Sequence, residues 1–225
     1  METLNQPLPL MPAPKTLPRI ERALAKADPA LGRLIKVIIE RSGPRHVAPS
    51  PTPPFEALVR AVVYQSVSAK AAASIYARLK AEVGKPFSPG KIGAMSEASI
   101  AAAGLAKSKA RAIANLAAWF LANRKRAKAL PTLPDDEVVA ALTSIPGVGP
   151  WTVNVFLIFN LGREDVMPAS DLGIRRGVQL IARMRSIATP NQVKERALLW
   201  RPYRSVASLY LWTSIRLKLQ QADLG

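Results

Sequence analysis

The chain has 225 residues, with 32 Lys and Arg against 15 Asp and Glu, which gives a formal net charge of +17. A positive surplus of this size indicates attraction to polyanions, with nucleic acid first and an anionic membrane surface second. The sequence has no cysteine and one histidine, which excludes disulfides, thiolate zinc sites, cysteine-bound iron–sulfur clusters and His-rich metal sites.

The chain begins with a proline-rich segment, residues 1–16, which we expect to be flexible. Residues 17–225 are expected to form a single domain. No apolar run reaches the length of a membrane span, and the first residues lack the pattern of a signal peptide. We therefore expect a protein of the cytoplasm and nucleoid, or of the nucleus in a eukaryote.

Apolar residues then recur with the period of an amphipathic helix in four segments: 55–63, 113–121, 138–145 and 206–217. Prolines precede the first and third of these segments, and Pro168 and Pro202 predict two later helix starts. Residues 153–159 are apolar on almost all sides, which predicts a helix buried in the centre of the domain. No long apolar–polar alternation occurs, so the fold class is predicted to be all-α.

The most informative segment is 142–152, Leu-Thr-Ser-Ile-Pro-Gly-Val-Gly-Pro-Trp-Thr. A helical pattern runs into Ile145, Pro146 ends it, and Pro150 suits the first residue of a new helix. Gly147 and Gly149 permit positive φ angles and the close approach of another backbone. The amide groups at such a helix N-terminus form a phosphate site.

This pattern predicts a helix-hairpin-helix at about 136–162 that binds the DNA backbone without reading sequence. The alternative is an ordinary turn between two helices, with glycines for tight packing. The residues expected at the DNA backbone are Gly147, Val148, Gly149 and Thr152.

Asp171 follows a loop and precedes another helical pattern, Leu172-Gly173-Ile174-Arg175-Arg176. An aspartate in this position is, by itself, typical of a helix N-cap. A functional role for Asp171 depends on the sequence around it.

The segment from Ile145 to Arg176 resembles the helix-hairpin-helix, Gly/Pro-rich loop and aspartate signature of one DNA glycosylase superfamily. Within it, residues 146–152, Asp171, residues 200–205 and Trp212 are most similar to the 3-methyladenine DNA glycosylase II family. The resemblance covers about residues 17–219. It implies a helical glycosylase fold, in a compact form without the N-terminal sheet domain of larger members, with the active-site cleft between two helical subdomains.

The resemblance implies that Asp171 is the catalytic residue and that an alkylated purine is excised by hydrolysis of its N-glycosidic bond. Members with lyase activity carry a lysine where this chain has Trp151, and tryptophan cannot form a Schiff base. The relatives with iron–sulfur clusters need four cysteines, which this chain lacks. The family match therefore implies a monofunctional enzyme that leaves an abasic site.

The family also implies that the target base leaves the helix stack and enters a pocket. The expected base pocket is formed by Trp212, Trp151 and Tyr64, because aromatic faces attract a cationic damaged ring. Gln65 and Ser66 lie where the family carries its intercalating wedge. Ser66 replaces the usual bulky apolar residue, and Val155 replaces an aromatic pocket residue of some members.

The expected partner is double-stranded DNA with damaged bases, bound by a monomer without a cofactor. By family resemblance, a monovalent Na⁺ or K⁺ ion could bind the carbonyl groups of Thr143, Ile145 and Gly147. Two alternatives remain: a DNA-binding module without catalysis, and a glycosylase for ethenoadenine, hypoxanthine or another lesion. A module that only binds DNA needs no carboxylate at position 171.

Overall fold

The computed structural model describes residues 16–225, and the predicted flexible segment lies outside these residues except for Thr16. The described chain contains thirteen α-helices and two short 3₁₀ helices, and it has no β-strand. The prediction of an all-α fold is confirmed. None of the described helices is long and apolar enough to cross a membrane.

The described helices belong to two compact units. The first unit is Ser50–Leu161, and the second unit combines residues 16–49 with Gly162–Gly225. The helices of the first unit are α3 (Pro54–Tyr64), α4 (Ala69–Val83), α5 (Pro89–Gly93), α6 (Glu97–Ala102), α7 (Lys107–Ala122), α8 (Arg124–Ala129), α9 (Asp135–Thr143) and α10 (Pro150–Phe159). Those of the second unit are α1 (Leu17–Ala27), α2 (Pro29–Ser42), α11 (Leu172–Ala182), α12 (Pro190–Ala197) and α13 (Arg204–Arg216), with 3₁₀ helices at Leu198–Trp200 and Gln221–Leu224.

In the first unit, α3 packs against α4, α7 and α10, and α10 also packs against α9. The apolar stripe of α3 is buried from Phe55 to Tyr64, and the Phe55 ring meets Phe120 of α7 edge-on, with centroids 5.3 Å apart. Helix α10 buries six of its ten residues, as its apolar pattern predicted. Four predicted amphipathic segments coincide with α3, α7, α9 and α13 within a few residues at each end.

Two predicted helix starts were misplaced by two or more residues. Pro168 does not start α11, because Asp171 donates its backbone N–H to the Pro168 carbonyl in a turn, and the helix begins at Leu172. Likewise α13 begins at Arg204 rather than at Pro202. In both cases the proline lies in the turn that leads into the helix.

In the second unit, Asp28 joins three elements around one buried carboxylate that is only 4% exposed. It caps α2 by accepting from the backbone N–H groups of Ala30 and Leu31. It also accepts two 2.8 Å hydrogen bonds from Arg196 of α12 and one of 3.0 Å from Trp200 Nε1. Burial alone would raise the pKa of Asp28, but the Arg196 and Trp200 donors outweigh it and the pKa is lowered.

Candidate functional site

The predicted helix-hairpin-helix is formed by α9, residues 144–149 and α10. After α9 ends at Thr143, Ile145 donates to the Leu142 carbonyl and Val148 donates to the Ile145 carbonyl, at 3.2 and 3.0 Å. Gly149 is the N-cap of α10, and Pro150 is its first residue, as predicted. The hairpin is therefore a tight turn that ends on a helix N-terminus.

The two hairpin glycines have different roles, which corrects the prediction that both provide positive φ. Gly147 has φ +90°, and a Cβ there would lie 2.4 Å from the Cβ of Ala112 on α7. Gly149 has an extended backbone with φ −90°, and a Cβ there would meet no atom within 4 Å. Gly147 is needed for the turn itself, whereas Gly149 leaves the backbone open to a ligand.

The other hairpin residues expected at DNA are mainly internal. Val148 is 3% exposed and its N–H is used within the turn, and Thr152 is 1% exposed. The exposed residues of the hairpin turn are Ser144, Pro146 and Gly147, and Asn115 of α7 donates to the Pro146 carbonyl at 3.1 Å. An anion approaching this turn would meet the first-turn amides of α10, where the helix dipole also favours negative charge.

The two residues expected at the wedge have different environments. Gln65 ends α3 and donates through Nε2 to Thr152 Oγ1 of α10 at 2.7 Å. Ser66 is exposed and has a positive φ of 53°. Ser66 is therefore the more accessible of the two.

Lys109 of α7 has its ammonium group against the end of α3. Its Nζ donates to the Val63 carbonyl at 2.9 Å and also to the Gln65 carbonyl. Burial lowers the pKa of Lys109. Sequence reasoning missed this contact, because a lysine on an amphipathic helix carries no sign of its distant acceptors.

Tyr64 and Trp151, two expected pocket residues, both lie in the first unit. Tyr64 is 2% exposed, and its buried hydroxyl has no hydrogen-bond partner among the residues described. The Arg60 guanidinium lies 5.4 Å from the centroid of the Tyr64 ring. Trp151 is partly buried in the first turn of α10. Their roles in a base pocket stay predictions.

Asp171 is the N-cap of α11 in the second unit and is 5% exposed. Its Oδ1 accepts from the Ile174 backbone N–H at 2.9 Å and from Trp212 Nε1 at 2.8 Å. The first bond confirms the capping role predicted from the sequence. The second bond is a contact that the sequence did not predict, and through it Trp212 orients the carboxylate. The role of Trp212 in a base pocket stays a prediction.

Two glycines on α11 allow α13 to come close enough for that contact. A Cβ on Gly173 would lie 3.0 Å from both Asp171 Oδ1 and Trp212 Cδ1. One turn later, a Cβ on Gly177 would lie 2.8 Å from the Cβ of Leu211. Gly173 is a site residue that sequence reasoning missed, and its only signal was a glycine inside a helix.

The C-terminal block at 200–205 also supports the loop before Asp171. Arg204 donates to both carboxylate oxygens of Asp165, at 2.6 and 3.0 Å. Ser205 accepts from the Val166 N–H through its hydroxyl and donates its own N–H to the Glu164 carbonyl, both at 2.9 Å. These bonds hold the loop from α10 to α11, which positions Asp171.

No group of three or more His, Cys, Asp or Glu side chains in residues 16–225 is arranged to hold a metal ion. The monovalent ion expected on hairpin carbonyls stays a prediction. The Ile145 carbonyl already accepts the Val148 N–H, which occupies one of its two lone pairs.

Comparison with known proteins places these features in one family. The HhH-GPD superfamily of base excision DNA repair proteins matches residues 59–202. The DNA-3-methyladenine glycosylase 1 of Schizosaccharomyces pombe is 32% identical over 208 residues, which span 90% of this chain and 89% of the relative.

Two solved structures have similar folds. The 3-methyladenine DNA glycosylase Mag1 of the same yeast, in complex with abasic DNA, has a TM-score of 0.79 and 31% identity, over 91% of this chain and 98% of that one. A DNA-3-methyladenine glycosidase of Bacillus halodurans has a TM-score of 0.72 and 29% identity, over 90% and 92%. The chain belongs to the HhH-GPD superfamily of base excision DNA repair proteins, within its 3-methyladenine DNA glycosylase family.

Proposed function

We propose that this protein excises alkylated purines from double-stranded DNA by hydrolysing the N-glycosidic bond, and that it leaves the DNA strand uncut. Family membership supports the coarser statement, a DNA glycosylase of base excision repair with DNA as its partner. The finer statement concerns the lesion, the absence of lyase activity and action as a monomer. The main support for cleavage of the N-glycosidic bond is one buried aspartate, Asp171, whose Oδ1 accepts hydrogen bonds from Ile174 and Trp212.

Loss of the base leaves positive charge on the deoxyribose, and a carboxylate close to the anomeric carbon stabilises that charge. At about 4 Å and an effective dielectric constant near 20, the attraction is on the order of 4 kcal/mol. This corresponds to roughly a thousandfold in rate if the attraction acts mainly in the transition state. Asp171 would also orient or deprotonate the attacking water.

The hydrogen bonds to Asp171 favour such a role because they fix the carboxylate before the reaction begins. The Ile174 N–H and the Trp212 indole both donate to Oδ1, so the plane of the carboxylate is set by α11 and α13 together. A preorganised charge does not have to reorient as the sugar cation forms. An N3- or N7-alkylated purine is already cationic, and it departs without a strong general acid.

Trp151 supports the proposal that the enzyme has no lyase activity. Strand cleavage by a lyase needs an amine that forms a Schiff base with the sugar, and an indole cannot do so. Borohydride reduction during the reaction should therefore give no covalent protein–DNA adduct. A trapped adduct, or strand breaks without added alkali, would overturn this part of the proposal.

The decisive experiment compares the wild-type protein with Asp171→Asn on duplexes that carry 3-methyladenine, 7-methylguanine, ethenoadenine or hypoxanthine. We expect the wild type to release the two methylated purines, and the variant to do so roughly a thousandfold more slowly. Asparagine is also a good N-cap, so the fold should be preserved. Intact DNA binding without release of any base would favour a module that only binds DNA.

Gly149→Ala tests the DNA-backbone contact separately. The added methyl group has open space, so the free energy of unfolding should fall by less than about 1 kcal/mol. We expect weaker binding to damaged and undamaged duplexes alike, with a smaller dependence on salt, about one unit of slope for each lost phosphate contact. Loss of binding to damaged DNA only would contradict a phosphate contact at this turn.

A further inference from the structure

We call the segment that follows α3, residues 65–68, the gap loop, because it holds the residues expected to fill the space of a flipped base. We propose that Lys109 is a positioning residue that holds the gap loop in the conformation needed to displace a base from the duplex. This inference rests on the proposed function. Nothing in the sequence around Lys109 distinguishes it from a lysine that binds phosphate.

The first support is the pair of hydrogen bonds at the end of α3. The last carbonyl groups of a helix have no partners within the helix, and a cation near them is favoured by the helix dipole. Lys109 Nζ donates to the Val63 carbonyl in the last turn of α3 and to the carbonyl of Gln65, the first residue of the gap loop. Burial lowers the pKa of this ammonium group, so its position is maintained against a desolvation cost.

The second support is the shape of the gap loop. Ser66 has a positive φ of 53°, a conformation that costs a serine about 1–2 kcal/mol relative to ordinary backbone. Such a residue persists only where neighbouring contacts determine it. The contacts on its amino side are Lys109 to the Gln65 carbonyl and the Gln65 side chain to Thr152.

The third support is that α7 contacts both the gap loop and the hairpin. One turn from Lys109, Ala112 packs against Gly147, and Asn115 donates to the Pro146 carbonyl. When the hairpin binds a DNA backbone, α7 therefore fixes where the gap loop stands relative to that backbone. Lys109 is the residue through which α7 makes polar contact with the gap loop.

The competing role for Lys109 is direct phosphate binding. Lys107 and Arg111 are exposed on the same helix, whereas Lys109 is partly buried. A phosphate contact would appear as a loss of affinity for all DNA. A positioning role would appear as slower base release, and only from duplexes in which the damaged base must first be displaced from a base pair.

The experiment measures single-turnover release of 7-methylguanine placed either opposite cytosine or opposite an abasic-site analogue, where no pair has to be broken. Lys109→Met should slow release from the paired lesion by about tenfold or more, the equivalent of losing a hydrogen bond to a charged group, and from the unpaired lesion by less than about threefold. Lys107→Met removes the same charge from an exposed position and should change neither rate by more than about twofold. Lys109→Arg, which keeps charge and donors, should recover part of the loss.

Equal slowing of both substrates, or a loss of affinity for undamaged duplex with unchanged rates, would overturn the positioning role. If Lys109→Met does not melt cooperatively, Lys109→Gln, which is polar but uncharged, is judged by the same ratio of paired to unpaired rates, and a wild-type ratio in that variant overturns the positioning role. Base displacement is also followed by the rise in 2-aminopurine fluorescence when the protein binds duplex DNA. Lys109→Met should reduce this rise. If the wild type displaces 2-aminopurine but releases no lesion, the proposed function fails and the inference on Lys109 is still decided by this signal.

Discussion

Two buried aspartates of the second unit, Asp28 and Asp171, have similar local environments. Each is a helix N-cap, each is 4–5% exposed, and each accepts a hydrogen bond from a tryptophan indole. Arg196 also donates to both oxygens of Asp28, whereas the bonds from Ile174 and Trp212 to Asp171 both end on its Oδ1. The oxygen of an amide could also accept the latter two bonds, but an amide cannot accept from an arginine through both of its polar atoms.

The same substitution should therefore have opposite consequences at the two positions, and this is the largest contrast we expect. Asp28→Asn leaves Arg196 partly buried without its counter-charge, which should cost about 3 kcal/mol in the free energy of unfolding. Asp171→Asn should change that free energy by less than about 1 kcal/mol, because the cap remains. Denaturant unfolding followed by circular dichroism measures both, and excision per folded molecule should be retained only in Asp28→Asn.

Acid titration provides the control for the Asp28 prediction. Because the folded pKa of Asp28 is lowered, its stabilising effect is fully present above the unfolded value of about 3.9 and is lost as the pH falls through the folded pKa. The stability difference between wild type and Asp28→Asn should thus be constant near neutral pH and shrink below about pH 4. A difference that is independent of pH would show that the charge of Asp28 is not what stabilises the fold.

The two tryptophans sharpen the same contrast with a smaller effect. Trp212→Phe keeps an aromatic face but removes the indole N–H that orients Asp171, so we expect excision to slow by about tenfold or more, equivalent to a hydrogen bond to a charged group. Trp200→Phe removes the matching bond to Asp28 and, because Trp200 is fully buried, should lower stability by about 1–3 kcal/mol instead. Single-turnover rates and melting curves of both variants test whether Trp212 acts on catalysis and Trp200 on stability. A normal rate in Trp212→Phe would leave Trp212 with a stacking role only.

What the sequence predicted well were features set by neighbouring residues. The helix start at Pro150, the cap at Asp171 and the apolar character of α10 all depend on contacts within a few positions. The end of α9 was predicted at Ile145, before Pro146, and lies two residues earlier at Thr143. Helices α9 and α13 followed from periodicity in the same way. The misplaced start at Pro168 is also local, because a proline suits both a turn and a first helical residue.

What the sequence could not predict were contacts between distant residues. Trp212 and Asp171 are 41 positions apart, Lys109 and Val63 are 46 apart, and Gln65 and Thr152 are 87 apart. Each pair depends on how helices pack, and residue type alone allowed other roles, such as phosphate binding for Lys109. The difference between Gly147 and Gly149 likewise appears only once α7 is seen to lie against one and not the other.

The smallest expected effect concerns Gly173, which tests whether the Asp171–Trp212 geometry matters beyond the bond itself. Gly173→Ala would place a methyl group 3.0 Å from Asp171 Oδ1 and from Trp212 Cδ1, so one of the two must move by a few tenths of an ångström. We expect excision to slow by about threefold to tenfold, since small misplacements of catalytic groups reduce rate strongly. Gly177→Ala, one turn along the same helix, presses on Leu211 and should lower stability by about 1–3 kcal/mol with little change in the rate per folded molecule. A wild-type rate in Gly173→Ala would mean that the carboxylate tolerates displacement, and the role assigned to its hydrogen bonds would then fail.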